Sequence, residues 1–155
     1  MELNTLTAAL AEATLGALYL EDAGGPSLGF LSGLLAQPQY QAWGLLDNGN
    51  VVAAIWYQCV DQQAELLDLR VGRAARRSGY GGKLLGDTLC LIGQSGVRAV
   101  DLEVRESNTP ARSLYAKTGF EITGRRRDYY SLPTGEREDA LLMSLILQVA
   151  EKKLG

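Results

Sequence analysis

The chain has 155 residues, the length of one ordinary domain, and its 46% hydrophobic and 21% charged residues exclude the disordered and fibrous classes. Its 15 Lys and Arg against 18 Asp and Glu leave a net charge of −3, and the absence of histidine removes Ser-His-Asp and Cys-His catalysis together with most transition-metal sites. No apolar run approaches the roughly 20 residues that span a bilayer, and the acidic start MELNTLTAAL lacks the basic segment of a secretory signal. One cytoplasmic domain over residues 1–155, with no metal and no membrane contact, is therefore expected. Cys59 and Cys90 lie far apart and form no C-x-x-C pair, so buried free thiols are expected rather than a disulfide framework or a zinc site.

In chain order, Leu6 and the stretch TAALAEATLGALYLE after it place Leu6, Leu10, Leu15 and Leu18 at helical spacing, and SLGFLSGLL supplies a second short helix after the breaker GGP. The period then changes. QAWGLLD and VVAAIWYQCV flank Asn48-Gly49, residues that tolerate the positive φ of a tight hairpin, so two antiparallel strands are predicted. AELLDLRV reads as a further strand that ends before the loop RRSGYGGK. After it Leu84, Leu85, Thr88, Leu89, Leu91 and Ile92 recur as in an amphipathic helix. VRAVDLEVR alternates Val100, Leu102 and Val104 with Asp101, Glu103 and Arg105, the period of a strand. PARSLYAKT follows as a helix that Gly119 is placed to end. ITGRRRDYYSL and DALLMSLILQV close the chain as strands around the turn PTGERE, with VAEKKLG as a frayed, solvated end. The fold class is α+β, a mostly antiparallel sheet with helices on both faces.

The loop holds the chemistry. Arg70, Arg73, Arg76, Arg77 and Lys83 fall within 14 positions that contain no acidic residue, in a chain that is acidic overall. Gly79, Gly81 and Gly82 remove side chains that would keep a bulky anion from the backbone N–H groups, and the next helix directs its positive dipole end to the same point. That is the composition of a pyrophosphate cradle. A Walker A loop is excluded, because Leu84 follows Lys83 and Arg77 stands where the first glycine belongs. A dinucleotide fingerprint fails at Leu84. On these residues alone, a glycine-rich turn with solvated arginines remains the other reading.

Arg76-x-x-Gly79-x-Gly81, set between a strand and a long helix, resembles the Q/R-x-x-G-x-G/A acetyl-CoA loop of the GNAT N-acetyltransferases. DLEVRESNTPARSLYAKTGF, followed by RRRDYY and a turn into EDALLMSL, looks like the RimI branch of that family, the ribosomal-protein-alanine N-acetyltransferases. The resemblance runs over residues 64–146 and implies a GNAT fold with a mixed, mostly antiparallel sheet of about six or seven strands. It implies acetyl-CoA as cosubstrate, its acetyl and pantetheine groups held by the backbone of Leu69, Arg70 and Val71. The amides of Arg77, Gly79, Gly81 and Gly82, in a loop that includes Tyr80, would hold the pyrophosphate, with charge added by Arg76 and Lys83. Asn108 would hydrogen-bond the pantetheine arm, its other reading being a helix cap. Glu103 falls on the family's general base and Tyr115 on its general acid; without the family, the first reads as a polar-face strand residue and the second as a packed aromatic. Where the RimI branch usually has Pro-Trp-Ser between its first two helices, this chain has Gly25-Pro26-Ser27-Leu28, which alters a region that shapes the acceptor groove.

The chemistry requires a base for the amine, a donor to the acetyl oxygen and an acid for the leaving thiolate. An N-terminal amine, with a reference pKa of about 8 against about 10.4 for lysine, costs roughly 3 kcal/mol less to deprotonate at neutral pH, within reach of a carboxylate. The expected acceptor is the N-terminus of a basic, ribosomal protein, and Glu136, Glu138 and Asp139 are suited to attract it. A GNAT enzyme for a small amine, polyamine or lysine side chain, and a non-catalytic acyl-CoA sensor, are the alternatives. Arg125-Arg126-Arg127 reads as a solvated or ion-paired run rather than a nucleic-acid surface. The chain is expected to be a monomer or weak dimer.

Overall fold

The computed structural model describes residues 2–21 and 25–148. Its elements run β1 (Glu2–Thr5), α1 (Ala8–Thr14), α2 (Gly16–Glu21), α3 (Leu28–Leu34), β2 (Tyr40–Asp47), β3 (Asn50–Val60), β4 (Gln63–Val71), α4 (Tyr80–Gln94), β5 (Ala99–Arg105), α5 (Thr109–Thr118), β6 (Glu121–Ser131) and β7 (Arg137–Ile146). The expected frayed tail, residues 149–155, lies outside the described residues.

The expected hairpin forms: Asn48 and Gly49 take φ of 51° and 80° and join β2 to β3. Helix starts follow side-chain capping. Thr7 accepts the N–H of Leu10 at 3.2 Å to open α1, and Ser27 accepts that of Phe30 at 3.1 Å to open α3. The single helix expected over TAALAEATLGALYLE is instead two, broken at Leu15-Gly16, where glycine is the poorest helix former short of proline. β1 carries no pattern of its own and exists because it pairs with the edge of β2, Glu2 opposite Leu46 through Thr5 opposite Trp43.

The sheet order is β1-β2-β3-β4-β5-β7-β6, and every neighbouring pair is antiparallel except β4 and β5. One face is covered by α4 and α5, whose Leu84, Leu85, Leu89, Ile92 and Tyr115 pack with Leu45, Ile55, Leu66, Val100, Leu102 and Leu141. The other carries α1 to α3, with Leu15, Leu18 and Leu31 against Ala42, Ala54 and Trp56. The expectation for the thiols needs correction: Cys59 is half-buried and Cys90 is exposed, because residues 84, 85, 88, 89 and 92 define the inward face of α4 and position 90 points away from it.

Two irregularities shape the functional end. β4 and β5 are paired only from Gln63 opposite Ala99 to Leu66 opposite Leu102. Beyond that point β4 continues to Val71 on β3 alone, and β5 continues to Arg105 on β7 alone, so the two parallel strands part and leave a fork. At the fork β4 is bulged, with Tyr57 opposite Leu66 but Trp56 opposite Asp68, which leaves Leu67 as the extra residue.

Candidate active site

The fork exposes two strand edges whose N–H and C=O groups lack a neighbouring strand, those of residues 67–71 on β4 and 103–105 on β5. Leu69, Arg70 and Val71 therefore sit on an edge free of a second strand, with Val71 O already accepting from Arg76 Nε. At its mouth stands the N-terminus of α4. Gly79, at φ 79°, caps that helix without a side-chain hydrogen bond, and the first turn contains no acidic residue. Helix geometry leaves the N–H groups of Tyr80, Gly81 and Gly82 without an intrahelical acceptor. Arg77 and Lys83 flank that positive dipole end in sequence, Lys83 being paired with Asp87 at 3.1 Å.

The glycines act partly through packing. A Cβ at Gly81 would stand 3.3 Å from Val71 Cγ2 and 3.4 Å from Leu114 Cδ2, so the bare backbone lets α4, α5 and the end of β4 meet. Gly79 is needed for its positive φ, since nothing lies within 4 Å of its missing side chain. Arg77 also adopts positive φ, 64°, a conformation that β-carbon sterics disfavour. The loop is fastened by Arg76 Nε, which donates to Val71 O at 3.2 Å, and by Tyr80 Oη, which donates to Asp47 Oδ2 at 3.0 Å, while Lys83 Nζ donates to Asp87 Oδ2 at 3.1 Å within α4.

Tyr115 lies on α5 beside the fork, its ring 8% exposed and edge-on to Phe120 at 5.7 Å between centroids. Burial, reinforced by the negative charge of Asp68, pushes its phenol above the ordinary tyrosine value. Its hydroxyl has no hydrogen-bond partner among the described residues. Asn108 caps α5, its Oδ1 accepting the N–H of Ala111 at 3.3 Å, so the capping role is real; its Nδ2 makes no hydrogen bond among the described residues.

Glu103 projects from β5 on the face opposite Val100, Leu102 and Val104, which belong to the core under α4. Its side chain is 26% exposed and Oε1 accepts from Arg126 Nε at 2.8 Å. Around it stand groups that the motif did not connect to it. Glu65, on β4, is pushed up first by burial and then by Glu103 and Asp101. Tyr130 is pushed up by burial and then by Glu103. In β6 residues 127–129 bulge opposite Asp139 alone, which sets Tyr129 and Tyr130 edge-to-face at 5.0 Å beside the Arg126–Glu103 pair. Arg105 stacks on the Tyr130 ring at 4.1 Å and pairs with Glu138 at 3.1 Å. The arginine run is an ion-pair set for two of its three members, since Arg125 bridges Glu106 and Asp139, each at 2.8 Å.

Asp68 and Tyr19 were also missed, because neither stands in a motif. Asp68 Oδ2 accepts from Tyr19 Oη at 2.5 Å and from Arg70 Nε at 3.1 Å, in a cluster that only the approach of α2 to β4 creates.

A forked sheet with an uncapped, cation-flanked helix at its mouth is the arrangement of an acyl-CoA-dependent acyltransferase. Residues 9–120 match the model of the acetyltransferase (GNAT) family, and the chain belongs to that family. Its curated relatives include the ribosomal protein bS18-alanine N-acetyltransferases of Haemophilus ducreyi, 37% identical over 65% of this chain and 70% of the relative, and of Escherichia coli, 36% identical over 69% and 72%. Among solved structures, the ribosomal-protein-S18-alanine N-acetyltransferase of Escherichia coli superposes with a TM-score of 0.85 at 30% identity, covering 99% of this chain and 98% of that one. The resemblance to the RimI branch and the GNAT fold expected from it both hold, and the seven-stranded sheet matches the upper expectation. No helix among the described residues is long and apolar enough to cross a membrane.

Proposed function

We propose that the chain transfers the acetyl group of acetyl-CoA to the N-terminal alanine amine of a small-subunit ribosomal protein, the activity for which its relatives are named. The observation that carries the reading is the fork between β4 and β5 with the bare amide end of α4 at its mouth. The residues present fit acetyl-CoA: open edge groups of Leu69 to Val71 suit the amide-bearing pantetheine arm, and the N–H groups of residues 77–82 suit a pyrophosphate. Bound there, acetyl-CoA supplies the thioester. Nδ2 of Asn108 is available to the same arm.

Glu103 takes the proton of the incoming amine, directly or through water, as the nitrogen lone pair forms the C–N bond. As the C–S bond breaks, the Tyr115 hydroxyl gives its proton to the leaving sulfur; burial and Asp68, which push the phenol above its ordinary value, keep it protonated at neutral pH and make it a weak acid that assists a thiolate already able to leave. The open β6 bulge carrying Tyr129, half exposed, favours a peptide end over a small amine, which would call for a closed pocket.

Calorimetric titration with coenzyme A, paired with acetylation of a peptide beginning Ala-Arg, spermidine and free lysine, tests this. Acetyl incorporation at the peptide's first amine is the expected result. No heat with coenzyme A, or turnover of spermidine or lysine alone, would overturn the reading.

A further inference from the structure

Asp68 is the second residue past the last β4–β5 pair, and it is nearly buried, with a side chain 13% exposed. Its partners come from two elements. Tyr19 reaches it from α2, Arg70 from two residues along β4, and the Arg70 guanidinium lies 3.9 Å from the centre of the Tyr19 ring. Arg70 Nη2 also donates to Pro26 O at 3.3 Å, and a Cβ at Gly25 would stand 3.3 Å from Nη2 and 3.8 Å from Asp68 Oδ1. Segment 25–27 therefore rests on the Asp68–Arg70 pair. All of this lies on the sheet face that carries Glu103, since Tyr19 packs with the cluster of α1 to α3.

A buried carboxylate is costly to the fold unless it is paired. Burial pushes Asp68 above its ordinary value, and the hydrogen bonds from Tyr19 and Arg70 offset that only in part. A folded-state carboxyl raised in this way binds its proton more tightly than in the unfolded chain, so its contribution is favourable below the unfolded pKa and is lost as pH rises through the folded one. Burying a charge that an apolar residue could replace is justified by what it positions.

We infer that Tyr19, Asp68 and Arg70 are positioning residues for the acceptor: they fasten α2 and segment 25–27 to the bulged strand at the fork, and so set the entrance through which the amine reaches Glu103. The inference rests on the proposed function. Arg70 enters through its side chain, on the face away from the backbone edge assigned to the cosubstrate.

Tyr19→Phe removes the hydroxyl and keeps the stacked ring; Asp68→Asn keeps the shape and removes the charge. For each, the KM of the Ala-Arg peptide should rise about tenfold with kcat and the coenzyme A dissociation constant within about twofold, and the double variant should go no further than Asp68→Asn, since both act through one bond. Amide exchange of residues 16–20 and 25–34 should quicken about tenfold while α4 is unchanged. An unchanged peptide KM in both single variants, or an effect on coenzyme A affinity instead, overturns the inference. Should the wild type leave the peptide unmodified, the proposed function fails separately, and unchanged exchange in the variants would then refute the clamp.

Discussion

Arg126 on β6 reaches across β7 to Glu103 on β5, donating from Nε to Oε1 at 2.8 Å. The pair is partly solvated, with side chains 55% and 26% exposed, so its share of stability is below about 1 kcal/mol and its value is orientation. Glu103→Gln keeps a group of the same shape beside Arg126 but cannot take a proton. Its kcat should fall about 100-fold or more, as general-base losses do, with coenzyme A affinity retained in calorimetry.

Tyr115→Phe removes one oxygen from a ring that keeps its contact with Phe120. The expected loss in kcat is about 10- to 100-fold rather than complete, because a thiolate with a pKa near 8.5 is already a tolerable leaving group. The thermal midpoint should move by only a few degrees.

The wild-type rate should also show no alkaline decline from this phenol up to about pH 10, the ordinary tyrosine value. Burial and Asp68 both favour the protonated form, so the folded phenol ionises later than a free one. A kcat profile that falls between pH 8 and 9.5 with the fold intact by circular dichroism would contradict the assignment.

Gly81→Ala and Gly79→Ala should separate packing from backbone strain. The first drives a methyl to 3.3 Å from Val71 and 3.4 Å from Leu114, and moving α4 away from β4 should cost about 1–3 kcal/mol and weaken coenzyme A binding roughly tenfold. The second meets no atom but must hold alanine at φ 79°, a cost of about 1 kcal/mol. Denaturant midpoints and calorimetry on both variants check the order.

Acid should loosen the last hairpin early. Glu138 is held below the ordinary carboxylate range first by its hydrogen bond from Ser107 and also by Arg105, and Asp139 is held there by Arg125 and the N–H of Asp128. Groups lowered on folding contribute stability above their unfolded pKa of about 4, and that contribution disappears as pH falls through the folded values. Carbon-detected titration of the two carboxyls, with amide exchange in β6 and β7 below pH 4, should show both signatures together.

The strand-loop-helix unit was legible because its signals are local. Asn48-Gly49 admits positive φ, residues 84 to 92 repeat at the helical period, and Val100, Leu102 and Val104 alternate along β5. The glycine loop stood out by its composition, whereas Glu103 and Tyr115 became candidates only because the family's motif marks them; alternation alone makes Glu103 a strand residue. β1, the break at Leu15-Gly16 and the bulges in β4 and β6 left no such trace, since each depends on a neighbouring strand or helix. The outward placement of Cys90 was readable from the helical period, and the general tendency of free cysteine to be buried pointed the other way.

Taken alone, the order of residues determined the type of the elements from β2 onward, the anion-binding composition of the loop after β4 and the family, because propensity, period and backbone freedom act over a few neighbours. Only the tertiary structure decided where β4 and β5 part, that Tyr19 meets Asp68 across 49 positions, and which charges surround Glu103. Those relations join distant segments, and the packing of helices on a sheet, rather than any local preference, brings such segments to one place.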